Sequence, residues 1–129
     1  MSKKFVVDTS LVISGLLTDM IKKGEFRDSL GTSVDILVPK TVLAEIEHQS
    51  NIRKTSGHVG LEELRKLREL SNEGRINLLF VGDRPTLDQI KLSGGGELDE
   101  AIRNQARLNG ATLITSDSVQ ASMAEVEGI

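Results

Sequence analysis

The chain has 129 residues, 38% of them apolar and 27% charged, which is the balance of a single globular domain. No apolar run approaches the roughly 20 residues that cross a bilayer and no secretory signal opens the chain, so we expect a cytoplasmic protein with no membrane partner. The absence of cysteine excludes disulfides and thiolate metal sites, and a net charge of −3 excludes a broadly basic surface, so any contact with a polyanion must be local.

The first third of the chain alternates short β-branched runs with helical apolar stripes. Residues 5–7 predict a strand, and apolar side chains over residues 12–21 recur at helical spacing until Gly24 ends the helix. Residues 34–38 predict a second strand, after which Pro39 can begin a helix at its first position. Together these elements predict a β-α-β unit.

The middle of the chain is less regular. Residues 50–60 are polar, basic and without periodicity, so they predict a loop, the most mobile element of the chain. A leucine stripe over residues 61–70 predicts another helix, and the apolar run at residues 76–81 is typical of a buried strand. Residues 85–92 indicate a short helix.

The last part of the chain repeats the alternation. Glycines at 94–96 predict a sharp turn into a helix over residues 98–108, followed by a strand at 111–115 and a helix at 118–125. Strands that alternate with helices predict an α/β fold with a parallel sheet and right-handed crossovers. We expect one domain over residues 1–129, and a piece of a longer protein, because no closing element is evident at the end.

Four acidic residues stand where such a fold would gather them. Asp8 and Asp117 each follow a predicted strand, so both would emerge at the carboxyl edge of a parallel sheet, where ligands bind. Asp99 opens a predicted helix, and Glu45 lies on the helix after the second strand. Carboxylates that converge without histidine or cysteine suit a hard divalent cation such as Mg²⁺ or Mn²⁺. The pattern therefore predicts a divalent-metal site.

Each of these acids also has a purely structural explanation. Asp8 and Asp117 could be helix N-caps, which need only a side-chain oxygen to accept backbone N–H groups. Asp99 could favour a helix N-terminus and pair with Arg103 four residues on. Glu45 could be an ordinary solvated helix residue. Taken singly these explanations compete well, but the four acids jointly favour a site.

Four sequence segments resemble those of a PIN domain: VVDTS at residues 6–10, VPKTVLAEI at 38–46, ELDEAI at 97–102 and LITSD at 113–117. The resemblance covers nearly the whole chain and is greatest to the N-terminal domain of an archaeal PIN-domain ATPase. No phosphate-binding Gly-x-x-x-x-Gly-Lys motif occurs in this sequence. The resemblance implies a three-layer α/β/α fold with a central parallel sheet of four or five strands.

The resemblance also implies an activity, the metal-dependent cleavage of single-stranded RNA by an endoribonuclease. A water made acidic by the ion would attack phosphorus in line. Among the catalytic acids, metal binding falls to Asp8, Asp99 and Asp117, whereas Glu45 would position the water or complete a second ion site. The hydroxyls that would orient these groups are those of Ser10 and Ser116.

One departure from the family pattern bears on the number of ions. Many PIN domains carry a further acid just beyond the position of Asp117, where this chain has Ser118, Val119 and Gln120. The sequence therefore leaves open whether one or two ions bind.

Three basic residues are candidates for contact with RNA. Arg53 and Lys54 lie in the predicted loop, and Arg103 lies on the helix of Asp99. Their competing explanation is a solvated loop and an arginine that balances nearby acids. Expected partners are single-stranded RNA, further copies of the chain in a homo-oligomer, and ATPase and RNA-binding domains downstream in a longer protein.

Two other classes of protein fit the sequence less well than a nuclease does. A phosphatase of the haloacid dehalogenase type needs a second aspartate two residues after the first, where this chain has Ser10. A receiver domain needs an adjacent acid pair, but Thr9 follows Asp8. The stronger alternative is a catalytically silent PIN-like module that binds RNA or oligomerises within a larger ATPase assembly.

Overall fold

The structure, a computed structural model, describes residues 3–26, 34–92 and 96–129, with the backbone alone at 96 and 97. Most of the predicted glycine turn at 94–96 therefore lies outside the described residues. The described elements are β1 (Lys4–Val7), α1 (Thr9–Ile13), α2 (Leu17–Lys22), β2 (Val34–Pro39), α3 (Lys40–Asn51), α4 (Thr55–Asn72), β3 (Ile76–Val81), α5 (Leu87–Leu92), α6 (Gly96–Asn109), β4 (Thr112–Ile114) and α7 (Ser118–Val126).

The four strands form one parallel sheet in the order β3-β2-β1-β4. The central strand β1 pairs with both neighbours, and Val6 is in register with Leu37 on one side and Leu113 on the other. Val6 and Val7 are fully buried, as expected of a parallel strand covered on both faces. Helices flank the sheet, so the predicted three-layer α/β/α fold is confirmed, with four strands.

The apolar core fills the space between the sheet and these helices. Ile36 on β2, Leu67 on α4 and Ile102 on α6 are all fully buried within it. Within the described ranges, no helix combines the length and apolarity needed to cross a bilayer.

The helix predicted over residues 12–21 is in fact two helices, α1 and α2. The chain breaks at Gly15, whose φ of +75° belongs to the left-handed region that glycine adopts without steric cost. The apolar stripe continues across the break because α1 and α2 both bury residues in the same core, which is why periodicity alone indicated one helix.

The predicted loop at residues 50–60 is wrong. Helix α3 continues to Asn51 and α4 begins at Thr55, so only residues 52–54 link them. The glycines that suggested a loop are buried where α4 approaches neighbouring helices. A Cβ added at Gly57 would lie 2.6 Å from the backbone carbonyl carbon of Gln49. Glycine is therefore required here by close packing rather than by a turn.

Strand β3 was predicted to be buried, and this is also wrong. It forms an edge of the sheet, and the side chains of Leu79 and Phe80 remain 47% and 38% exposed. An edge strand has a neighbour on one side only, and an apolar run does not by itself distinguish it from a central strand. The guanidinium carbon of Arg68 lies 5.8 Å from the centre of the Phe80 ring and covers part of it.

We expect Gly57→Ala to lower the free energy of unfolding by roughly 1–3 kcal/mol, because its new methyl group would force α3 and α4 apart. Gly60→Ala is the matched control, since its methyl would meet the flexible side chains of Ile13 and Ile46 at 3.1 Å. Urea unfolding of both variants measures the difference. Equal stability of the two variants would contradict the role assigned to Gly57.

Candidate metal centre

The carboxyl ends of β1 and β4 lie side by side, and this adjacency builds the candidate site. Val7 is in register with Ile114, and the backbone N–H of Asp8 donates to the carbonyl of Ile114 at 3.3 Å. The residues that follow the two strands therefore meet at one edge of the sheet. This is the edge at which open parallel sheets bind ligands.

Asp8 is buried at this edge, and its carboxylate is held on both oxygens. Its Oδ1 accepts hydrogen bonds from Ser10 Oγ at 2.7 Å and from the backbone N–H of Leu11 at 3.0 Å. Its Oδ2 accepts a hydrogen bond from the hydroxyl of Thr115. The bond from Leu11 caps α1, so the predicted capping role of Asp8 is present together with its position at the edge.

Hydrogen bonds of hydroxyl groups connect the segments that follow β1 and β4. Ser116 Oγ lies 3.1 Å from Ser10 Oγ, and the backbone N–H of Asp117 donates to Thr115 Oγ1 at 3.0 Å. The predicted hydroxyls of Ser10 and Ser116 thus lie beside the acids, although Ser116 reaches Asp8 only through Ser10. Thr115 was missed by sequence reasoning. The signal available in the sequence was its position, because Thr115 carries a hydroxyl and lies two residues before Asp117 at the end of a strand.

Asp117 begins α7 as its N-cap. Its Oδ1 accepts from the backbone N–H groups of Val119 at 2.9 Å and Gln120 at 3.4 Å. The structural explanation that the sequence left open is therefore observed. Both bonds end on Oδ1, so the cap itself does not use Oδ2.

Glu45 approaches the same edge from α3 and is partly buried. Thr9 Oγ1 donates to its Oε1 at 2.8 Å. Burial raises the pKa of the Glu45 carboxyl, the hydrogen bond from Thr9 partly opposes this rise, and the negative charges of Asp99 and Asp8 add to it. Glu45 is thus within electrostatic range of two other predicted acids.

Asp99 lies in the first described turn of α6. Burial raises its pKa, the charges of Asp117 and Asp8 raise it further, and the charge of Arg103 opposes them. Because Asp99 senses both Asp117 and Asp8, while Glu45 senses Asp99 and Asp8, the structure brings all four predicted acids into one electrostatic cluster. We call Asp8, Glu45, Asp99 and Asp117 the acidic cluster.

The acidic cluster fits a hard divalent cation by charge and by donor type. Its donors are carboxylate and hydroxyl oxygens, the atoms that Mg²⁺ and Mn²⁺ prefer. Burial is the main cause of the raised pKa of Glu45 and of Asp99, and neighbouring negative charge, which a cation would offset, adds to it. Among the described residues, no three His, Cys, Asp or Glu side chains are already grouped closely enough to hold an ion.

Arg103 is only 8% exposed and is engaged within the protein. Its Nε donates to Glu127 Oε2 at 2.7 Å, and its Nη1 donates to Gln120 Oε1 at 2.6 Å. These bonds join α6 to α7 and leave the guanidinium little surface for a phosphate. The contact with RNA predicted for Arg103 does not fit this buried position, whereas Arg53 and Lys54 are exposed on the link between α3 and α4.

Gln120 occupies the region where a further acid was expected, and it has a different role. It is 1% exposed, and its Nε2 donates to the backbone carbonyl of Asp99 at 3.1 Å while its Oε1 accepts from Arg103. Its backbone N–H meanwhile donates to Asp117. Gln120 therefore joins the turns that carry Asp99 and Asp117, a role that the sequence did not indicate.

A three-layer parallel α/β fold with acids gathered at the carboxyl edge of its sheet defines the class of this protein. The chain belongs to the PIN domain family, whose model matches residues 5–126, and the members of this family are generally nucleases.

Two curated relatives and one solved structure are similar to the chain. It is 39% identical over 127 residues to an uncharacterised KH and PIN-domain containing protein of Methanocaldococcus jannaschii, with 98% of this chain and 19% of the relative covered. It is 29% identical over 129 residues to an uncharacterised PIN and TRAM-domain containing protein of Thermus thermophilus, with 96% and 32% covered. The chain thus spans about a fifth and a third of these relatives.

The solved structure is described as a domain of a functionally unknown protein from Methanocaldococcus jannaschii. It matches with a TM-score of 0.90 and 38% identity over 99% of this chain and 88% of that one.

Without divalent metal, we expect Asp99→Asn and Glu45→Gln to be more stable than the wild type at pH 7. A carboxyl whose pKa is raised by folding contributes stability that is fully present below about pH 4 and is lost as pH rises through the folded value. The advantage of each variant should therefore shrink as pH falls toward 4. Urea unfolding in EDTA measures it, with exposed Asp88→Asn as control. A variant less stable than wild type at pH 7 would indicate a structural role instead.

Gln120→Met should lower the free energy of unfolding by about 1–3 kcal/mol. Methionine keeps the side-chain volume but leaves the Arg103 guanidinium and the Asp99 backbone carbonyl without their hydrogen bonds to Gln120. Chemical denaturation with and without Mn²⁺ measures the loss. A change below about 0.5 kcal/mol, which is typical of surface substitutions, would show that Gln120 does not join the two turns.

Proposed function

We propose that this chain is the catalytic domain of a divalent-metal-dependent endoribonuclease that hydrolyses phosphodiester bonds in single-stranded RNA. The observation that carries the proposal is the acidic cluster at the carboxyl edge of the sheet, in which the raised pKa values of Glu45 and Asp99 are caused in part by the other acids. Membership of the PIN domain family supports the same activity.

In this proposal Asp8, Asp99 and Asp117 hold Mg²⁺ or Mn²⁺. When bound, the ion makes a water molecule more acidic and offsets negative charge on the phosphate oxygens. Asp8 is already oriented for this task, because Ser10, Thr115 and the backbone of Leu11 fix its carboxylate. Asp117 keeps Oδ2 outside its helix cap.

Glu45 holds the attacking water in this scheme. Its carboxylate is anchored through one oxygen by Thr9, and it lies within electrostatic range of Asp99 and Asp8. As the water oxygen bonds to phosphorus it releases a proton, the bond between phosphorus and the sugar oxygen opposite to it breaks, and the departing sugar oxygen takes up a proton. Hydrolysis of this kind needs no nucleophilic side chain.

RNA is the substrate that the relatives favour. One of them carries a KH domain, a module that clamps the backbone of a single-stranded nucleic acid. Arg53 and Lys54 are the basic candidates for contact with phosphates on this chain. Assembly into a homo-oligomer and the presence of a downstream ATPase region remain predictions from the sequence.

The test is cleavage of end-labelled single-stranded RNA in Mn²⁺, Mg²⁺ or EDTA. We expect cleavage that requires metal and is lost in Asp8→Asn, where the amide oxygen can still cap α1. Thr115→Val should lower the rate by roughly 10–100-fold, as is typical for groups that orient metal ligands. The matched control is Asp19→Asn, which removes an exposed acid on α2.

Equal cleavage by the wild type and Asp8→Asn would indicate a contaminating nuclease. Absence of metal-dependent cleavage in the wild type would favour the catalytically silent RNA-binding or oligomerisation module. In that case, the mass of the chain in solution distinguishes an oligomerisation module, which forms multimers, from an RNA-binding module that stays monomeric.

A further inference from the structure

A groove of about 320 Å³ opens beside the acidic cluster, and Glu45 belongs to both. It is also lined by His48 and Gln49 of α3, by Lys54 and by Lys91 of α5. Its volume lies at the lower end of the range for small-molecule sites, which suits a unit of about one nucleotide. Whatever occupies this groove lies directly next to the proposed reaction centre.

The two lysines make the groove a local cationic site on an acidic chain. In the described part of the chain, neither the Lys54 nor the Lys91 ammonium is within ion-pair distance of a carboxylate. By contrast, nearby Arg84 is paired with Glu47. Both lysines are exposed, so each keeps its charge available for an anion.

Lys54 is held in position by its backbone. Its N–H donates to the carbonyl of Gln49 at 2.9 Å, and the N–H of Arg53 donates to the carbonyl of Ser50 at 3.0 Å. Arg53 adopts a φ of +60°, the left-handed conformation that ends many helices. This tight link fixes the start of the Lys54 side chain relative to the helix that carries Glu45.

The remaining surface of the groove suits the face and edge of a nucleobase. Ile52 is 50% exposed there, which provides an aliphatic surface in a chain without tryptophan or tyrosine. Ser56 Oγ donates to Gln49 Oε1 at 2.6 Å, so the amide is oriented with its Nε2 group available as a donor. A base carbonyl is the complementary acceptor.

From these features we propose that the groove binds the nucleotide next to the scissile phosphate of a single-stranded RNA, with Lys54 and Lys91 contacting its flanking phosphates. The proposal rests on the proposed function for its orientation toward Glu45. A single strand is required because its unstacked bases can turn into a pocket, whereas the bases of a duplex are paired and stacked. Lysine suits the phosphates as a mobile point charge.

Binding is tested without cleavage by fluorescence anisotropy of a labelled single-stranded RNA in EDTA. The variant Lys54→Gln/Lys91→Gln is compared with Lys22→Gln/Lys23→Gln, which removes two exposed lysines at the end of α2 outside the groove. Loss of two phosphate contacts should reduce the slope of log affinity against log salt by about 1.4. When salt rises from about 50 to 200 mM, the affinity of the groove variant for RNA should therefore fall by a factor about sevenfold smaller than that of the α2 control.

A second measurement separates this inference from the proposed function. In Mn²⁺ the groove variant should show a raised KM with kcat close to wild type, whereas Asp8→Asn should lose kcat. If the wild type binds RNA through the two lysines but cleaves nothing, the proposed function fails and the groove stands. If the wild type cleaves and the groove variant matches the α2 control in salt slope and KM, the groove inference fails.

Two further outcomes would also overturn the inference. One is equal affinity for duplex and single-stranded RNA of the same sequence, which would indicate general attraction to phosphates. The other is the absence of single-stranded RNA binding by the wild type in both EDTA and Mn²⁺. Urea midpoints of the two lysine variants check that both fold.

Discussion

The parallel pairing of β1 with β4 is the constraint on which the rest of the site depends. It places Asp8 beside Thr115 and sets Asp117 at the start of α7 next to them. Glu45 and Asp99 then reach the same edge from α3 and α6, so four negative charges share a small region of partly buried protein. Such a cluster is unfavourable without a cation, and the burial of apolar side chains elsewhere must offset it.

In the proposed scheme, structural and functional roles are combined in two of these acids. Asp8 caps α1 and Asp117 caps α7. The backbone N–H groups that donate to them place partial positive charge beside their carboxylates. The same bonds fix where their carboxylates lie. Among the described contacts, Glu45 and Asp99 have no helix-capping bond of this kind, and the pKa of each is raised first by burial and then by the charges of other acids. A capping explanation therefore does not compete with a metal-binding one, because capping orients the ligand.

The sequence predicted what local patterns determine and failed where tertiary contacts decide. Asp8 was predicted at the sheet edge because it directly follows an apolar run, and Asp117 because it follows such a run after two hydroxyl residues. Gly57 was misread because a glycine that permits close helix packing looks like a glycine in a turn. Thr115 was missed because its partner Asp8 is 107 residues away, and the exposure of β3 depends on its position at the sheet edge.

If the acidic cluster binds metal and the groove binds RNA as proposed, the charge of the site couples the two binding events. The acidic cluster repels a phosphate as long as its charge is not offset, whereas Lys54 and Lys91 attract the neighbouring phosphates whether or not an ion is present. In this scheme a bound cation raises the affinity for RNA, and by linkage RNA raises the affinity for the cation by the same factor. In the proposed scheme, a chain with a net charge of −3 holds a polyanion where the lysines and the ion act on adjacent phosphates of the same strand.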